Sequence, residues 1–321
     1  MRAPVVAVVS TRSSACRCGE AWLAAISALG LEGLVVAVEE MSARRDALAE
    51  AALVIEYADA YRGRGELRPL VRHQLASWGA RLVGAPAAAG QTSDDKIAAR
   101  ARLARAGLPV AAGRLLTATG APHDPTWTFP AVVKRPFEHG SRGVRQVKDG
   151  AALSALAARW FKKGDAALLV EEFVDGRELA LSVIEREDGP HCLPPLEIPL
   201  PKGALYTHKR KWGRDGPSPL RAELPETETD LLRMAALSAF RTLGLADLAR
   251  FDIRLSPKGP VFLEANVRPS VEPGAALPVA ASLAGLSWHE AARLVLLAAA
   301  RRHGEGDVVR RLRTGAPHAD L

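Results

Sequence analysis

The sequence predicts an α/β protein: an N-terminal parallel-sheet layer followed by two mixed α+β blocks. Three observations predict it. Apolar, β-branched runs alternate with helical patterns as far as about Gly90, the pattern of strands joined by crossover helices. The segment from Arg250 to Asn266 places two short apolar-rich runs around a Ser-Pro-Lys-Gly turn at 256–259 and reads as a β-hairpin. A length of 321 residues with 48% hydrophobic and 25% charged side chains, 27 Gly and 22 Pro is enough for two or three domains with sizeable cores.

Taken in order, Val5–Val9 reads as a buried strand. The run is short and β-branched and passes straight into Ser-Thr-Arg, so a first core strand is expected rather than a signal peptide. A helix over Gly19–Leu29 follows, then strands at Leu34–Val38 and Leu53–Glu56. Ser93 is the predicted N-cap of a helix over Asp94–Ala106, with acids in its first turn and Gly107-Leu-Pro109 as its stop. The middle block carries strands at Ala131–Lys134 and Leu168–Phe173 and a helix over Ala151–Phe161. The last block has a strand at Glu178–Ile184, a Pro/Gly/Lys-rich loop over Pro194–Pro219 and a helix at Glu226–Leu243. The hairpin and a helix after Ser287 complete it, and residues past about 304 read as a charged, poorly packed tail. The expected division is 1–92, 93–175 and 176–310, with a tail over 311–321.

Several function classes are disfavoured. No apolar run reaches membrane-spanning length, Leu294–Ala300 being too short. The net charge of +7 invites nucleic acid, but the basic residues are scattered and aromatics are only 5%, so neither nucleic acid nor a membrane is an expected partner. Three cysteines argue against a disulfide framework and fit a reducing cytoplasm. Cys16 and Cys18 form a Cys-x-Cys pair with no second pair or nearby histidine, and read as structural or incidental.

The candidate chemistry lies in three places. In strands, side chains alternate faces, so Arg250 shares one with Asp252, and Glu264 shares one with Asn266. Folding the hairpin gathers two carboxylates and an amide oxygen beside a cation. That is the sparse hard-oxygen set of a phosphate-bridging magnesium, or else the polar face of an ordinary hairpin. A strand ending in Lys134 leads into Arg135-Pro-Phe-Glu-His-Gly-Ser-Arg-Gly143. Gly140 and Gly143 let backbone amides approach an anion, Ser141 adds a hydroxyl and Lys134 a point charge. A plain hairpin turn is the alternative. In Leu168–Glu178 a strand and linker could hold an adenine by backbone groups, with Glu171 or Glu178 on a ribose hydroxyl; solvated acids on a strand–turn–strand are the other reading. The P-loop, the dinucleotide glycine fingerprint and the hydrolase elbow are all unmet.

The ordered set of Lys96 in Asp94-Asp-Lys-Ile, the Lys134 strand with its glycine-rich loop, Glu171-Glu-Phe-Val-Asp-Gly-Arg-Glu178 and Arg250-x-Asp…Glu264-x-Asn266 resembles the ATP-grasp superfamily. Within it the chain is most similar to the D-alanine–D-alanine ligases, over roughly residues 80–300. The resemblance implies a three-domain ATP-grasp architecture clasping ATP. It implies that Lys96 and Lys134 meet nucleotide phosphates and that His139, Gly140, Ser141 and Gly143 belong to a mobile loop closing over them. Glu171, Glu172, Phe173 and Val174 would form the adenine linker, Glu178 the ribose-side acid and Lys211 a second-loop lysine. Asp252, Glu264 and Asn266 would bind magnesium or manganese, while Arg250, Ser141 and Lys211 act on the reacting groups, Arg250 at the oxyanion. The implied reaction phosphorylates a carboxylate with ATP, and an amine then displaces phosphate from the acylphosphate. Small amino-acid-like substrates, and a homodimer as often in the family, are the implied partners.

The chain departs from that family where the amino-acid substrates bind. Ser10-Thr-Arg-Ser-Ser-Ala-Cys-Arg-Cys18 stands for a Gly-Gly-x-Ser-x-Glu segment, with Cys16 near the position of its acid. Pro269-Ser270 replaces Pro-Gly, Ala275 a substrate-binding serine, and Trp212 a tyrosine. Ligation with altered substrates is the leading expectation, and a nucleotide-binding regulatory protein without ligase activity the alternative.

Overall fold

The computed structural model describes residues 3–12, 16–62, 64–120, 127–212 and 216–314, with only the backbone of Trp212. Residues 13–15 of the Ser10–Cys18 stretch, the Trp212 side chain and residues 315–321 of the expected tail therefore lie outside the described set.

The first block runs β1 (Val5–Ser10), α1 (Cys18–Ala28), β2 (Glu32–Ala37), α2 (Arg45–Glu50), β3 (Leu53–Tyr57) and α3 (Arg68–Ser77). Its strands form a parallel sheet in the order β2-β1-β3. Alternation along β1 explains why it is central: Val6 and Val8 face a core containing Trp22 and Val295, while Ala7 and Val9 face one containing Leu48 and Leu75.

Two helices follow, α4 (Ala87–Asp94) and α5 (Lys96–Arg105). The expected Ser93 cap is corrected here. Ser93 is buried inside α4, and Asp95 caps α5 by accepting from the Ile97 and Ala98 amides at 2.9 and 3.2 Å. Ser-Asp-Asp offers three capping residues in a row, and packing rather than propensity chooses among them.

The second block contains β4 (Gly113–Thr117), β5 (Ala131–Lys134), β6 (Val144–Val147), α6 (Gly150–Phe161) and β7 (Ala167–Glu172). They make an antiparallel sheet in the order β4-β7-β5-β6. Val133, Leu168 and Val170 pack on Leu153, Ala157 and Trp160 of α6. The opposite face carries Val132, Lys134 and Glu171, and it is left open for a ligand.

The third block has β8 (Arg177–Arg186), β9 (Gly189–Cys192), β10 (Leu196–Ile198), α7 (His208–Trp212), β11 (Leu220–Arg221), α8 (Glu226–Leu243), β12 (Leu248–Ser256) and β13 (Gly259–Asn266). The expected loop over Pro194–Pro219 thus contains a strand and a short helix. The sheet order is β11-β10-β8-β12-β13, with β9 also on β8. Strand β8 is buried on both faces: Leu179, Leu181 and Val183 meet Phe240 of α8, whereas Ala180 and Ile184 join the core of the first block.

The chain continues through α9 (Ala276–Leu283), α10 (Trp288–His303) and α11 (Gly306–Thr314). Ser287 and Glu290 close a capping box at the start of α10. The expectation of a poorly packed tail is corrected as far as Thr314. Helix α11 buries Val308 and Leu312 in the main core, because their spacing of four puts both on one helix face.

Candidate functional site

The hairpin of β12 and β13 is the hub. Arg250 pairs with Asn266 and Asp252 with Glu264, and a bulge follows Asp252. Four polar residues thus occupy adjacent cross-strand positions, as alternation requires. Arg250 grips Asp252 with two bonds, Nε to Oδ1 at 2.6 Å and Nη2 to Oδ2 at 2.8 Å. Burial disfavours the Arg250 cation, but Asp252 and Glu264 outweigh that and raise its pKa. The Asn266 Oδ1 accepts from the Arg268 amide at 3.1 Å, which orients the side-chain oxygen.

Three lysines from separate segments converge on Glu264. The Nζ of Lys96, at the start of α5, lies 3.2 Å from Glu264 Oε1 and also donates to the Glu138 carbonyl. Burial works against the Glu264 carboxylate, yet Lys96, Lys211 and Lys134 together hold its pKa down to about 2. Glu264 is therefore ionised throughout the neutral range. Lys211 of α7 has its pKa lowered by burial and by Arg250, and it stands 5.8 Å from the Tyr206 ring centroid.

Lys134 ends β5 and meets Glu171 Oε2 at 2.6 Å, while Arg100 Nε approaches Glu171 Oε1 at 3.4 Å. This refines the expectation for Glu171. Both of its oxygens face cations, and Glu171 lines the same cavity as Glu172, Phe173 and Val174. Glu172 accepts from the Ala112 amide at 3.0 Å, and Phe173 lies under the Arg254 guanidinium at 5.6 Å. Glu178 is bridged by Arg254 Nη2 at 2.9 Å. Burial and nearby Asp252 nevertheless lift its pKa to about 7.

The loop between β5 and β6 is a glycine-rich arch with Gly140, Ser141 and Gly143 all at positive φ. At Gly143 a Cβ would lie 2.8 Å from the Arg135 side chain, so any other residue there must push Arg135 aside as well as adopt a positive φ. His139 turns to Asp59 Oδ1 at 3.5 Å, and the Gly140 carbonyl accepts from His208 Nδ1 at 3.1 Å. The arch is thus held against both the first block and α7.

Two cavities meet at Glu178, Tyr206 and Asp252. One is lined by Lys96, Lys134, Ser141, Glu171 to Val174 and Glu264. The other, of about 230 Å³, is lined by Lys211, Arg250, Ser270, Glu272 and Ala275. His139, Gly140 and Gly143, on the arch, and Asn266, on the hairpin, border neither cavity directly.

Some contributors were not legible in the sequence. Tyr206 lines both cavities, and Glu272 brings a carboxylate to the second. Arg268 is buried and pairs with Glu56 and Asp94; Arg68 Nη2 also reaches Asp94 Oδ1 at 2.6 Å, and Arg72 Nε reaches Glu56 Oε2 at 3.3 Å. Partners 174 and 212 residues away in the chain leave no local signal.

Two cavities that meet at Glu178, Tyr206 and Asp252, between an antiparallel β4-β7-β5-β6 sheet and the hairpin sheet, define an ATP-grasp protein. Residues 103–295 match the family model described as D-ala D-ala ligase C-terminus, and the chain belongs to that family. A D-alanine–D-alanine ligase of Gluconobacter oxydans (strain 621H) is 36% identical over 200 residues, 61% of this chain and 64% of that protein. One from Albidiferax ferrireducens is 30% identical over 226 residues, 68% of this chain and 64% of that protein. The matched region thus spans slightly less than two thirds of these relatives. Among solved structures, the D-alanine–D-alanine ligase of Bacillus anthracis complexed with ATP superposes with a TM-score of 0.76 at 19% identity, covering 94% of this chain and 99% of that one. The VanG D-Ala:D-Ser ligase of Enterococcus faecalis gives 0.75 at 16% identity, covering 93% and 100%. These likenesses establish the fold.

Proposed function

We propose that the protein is an ATP-dependent, ADP-forming carboxylate–amine ligase acting on small amino-acid-like substrates. The observation that carries this reading is the action of three lysine charges, Lys96, Lys134 and Lys211, on Glu264, the cross-strand partner of Asp252, where two cavities meet. One cavity suits a nucleotide and the other its acceptor. Lys96 and Lys134 neutralise phosphate oxygens, the Ser141 arch closes over them, and Glu172 to Val174 with Glu178 hold the nucleoside. Asp252, Glu264 and Asn266 offer hard oxygens, two of them carboxylates beside cations, and so fit magnesium or manganese. Bound there, the ion would neutralise charge on the phosphates.

In the reaction a substrate carboxylate oxygen attacks the γ-phosphorus and the bond to ADP breaks. The amine nitrogen then attacks the acylphosphate carbonyl, phosphate departs and the amine loses a proton. Arg250 faces the second cavity and stabilises the oxyanion of that step, while the arch, held to Asp59 and to His208 of α7, excludes water from the acylphosphate. The first turn of α9 opens on the same cavity with no side-chain cap at Ala275. Its amides serve a substrate carboxylate where the family's serine is missing. Cys16, Ala275 and the altered Ser270 turn favour substrates other than a pair of D-alanines.

The test is ADP and phosphate release with magnesium over a panel of D- and L-amino acids. Turnover that needs both an amine and a carboxylate, and disappears in Glu264→Gln, supports the ligase. Tight ATP binding with no turnover across the panel would leave a nucleotide-binding regulatory protein instead.

A further inference from the structure

The Cys-x-Cys pair gains a third member through the fold. Cys18 opens α1, and the Sγ atoms of Cys16 and Cys18 lie 2.8 Å apart. Glu272 arrives from the turn before α9. Its Oε1 accepts the Arg17 amide at 2.9 Å and lies 3.9 Å from Cys18 Sγ. The three donor atoms all fall within 4.8 Å of one another. Ser270 Oγ, 3.6 Å from Cys18 Sγ, stands beside them. Cys18 is buried while Cys16 and Glu272 are half-buried, so the group is reachable from solvent. Glu272 also lines the acceptor cavity.

Two thiols and a carboxylate converging from opposite ends of the chain are a donor set for a thiophilic d¹⁰ cation, unlike the all-oxygen set of the hairpin. We propose that Cys16, Cys18 and Glu272 form a binding site for a divalent cation of the zinc class, on the wall of the acceptor cavity. The arrangement is pre-organised: the Arg17 amide fixes the carboxylate, and α1 fixes Cys18. Sulfurs sharing a tetrahedral zinc sit wider apart than 2.8 Å, so the pair opens by about 1 Å on binding. Both thiol protons leave to solvent as the thiolates form. Three protein donors leave one position for water or a ligand. Filling the site neutralises the Glu272 carboxylate on the cavity wall, so occupancy changes what the acceptor cavity can hold. The site does not depend on the ligase reading, because it is assayed by binding alone.

The experiment titrates the reduced, demetallated full chain with zinc by calorimetry and with cadmium by thiolate charge-transfer absorption. One equivalent is expected at each, with cadmium–thiolate absorption. Cys16→Ser, at a half-buried position that tolerates change, should weaken binding about a hundredfold, and Glu272→Gln about tenfold with the absorption retained. Three results overturn the proposal: no saturable binding by the reduced chain, an affinity unchanged in Cys16→Ser, or an affinity unchanged in Glu272→Gln. Circular dichroism of each variant separates a lost site from a lost fold.

Discussion

At the scale of single residues, the site works by setting opposite charges against burial. Glu264 is kept ionised by three lysines, while Glu178 is lifted to about 7 despite Arg254. Glu264→Gln removes the acid on which the lysines converge and should cut steady-state ADP release by at least about a hundredfold. ATP binding measured without turnover should change far less. Glu178 offers a pH signature. Its folded pKa lies above the ordinary value, so the folded state binds its proton first. The stability linked to it is complete below about pH 4 and is lost as pH rises through about 7. Relative to wild type, Glu178→Gln should therefore gain on the order of 3 kcal/mol between pH 5 and 8 in chemical denaturation. A difference that is flat across that range would refute the assignment. The hairpin residues are legible because alternation is a local rule, whereas the cations that face Glu171 sit on other elements and leave no local pattern.

Among the elements, the connections matter more than the strands. Gly176 joins the sheet of β7 to that of β8 at φ +150, and a Cβ there would come 2.3 Å from the Leu255 carbonyl. Gly176→Ala must displace β12 next to Arg254 and should cost roughly 2–4 kcal/mol, read as a lower denaturation midpoint. The Arg268 network is the other junction. Arg268→Ala leaves Glu56 and Asp94 short of a buried partner and should lose about 3–5 kcal/mol. An Arg268→Ala chain as stable as wild type would show that Arg68 and Arg72 suffice. Helices α6 and α8 lie within a residue of their expected ends and α10 starts where expected, since their apolar faces and terminal signals are encoded locally. Helix α11 is not anticipated, because its high charge hides the two side chains, Val308 and Leu312, that bury it.

For the whole molecule, the main core runs from β1 and α1 through β8 to α9, α10 and α11, so the first and last parts of the chain form one body. The last helix should therefore contribute to global stability. Leu312→Ala, fully buried, should lower it by about 2–4 kcal/mol in a single cooperative transition. A separate early transition confined to the C-terminus would show that α11 melts alone. The α/β class and order of elements were readable from periodicity. How the sheets meet was not, because Asp94, Glu56 and Arg268 are adjacent only after folding.

That junction has an evolutionary consequence. Arg268 anchors the chain two residues after Asn266, before the turn that supplies Ser270, Glu272 and Ala275. Its pairs with Glu56 and Asp94 tie the chain down between the hairpin and that turn. The segment beyond it is an interchangeable part: it can drift and reshape the cavity it lines while the hairpin behind the clamp stays in register.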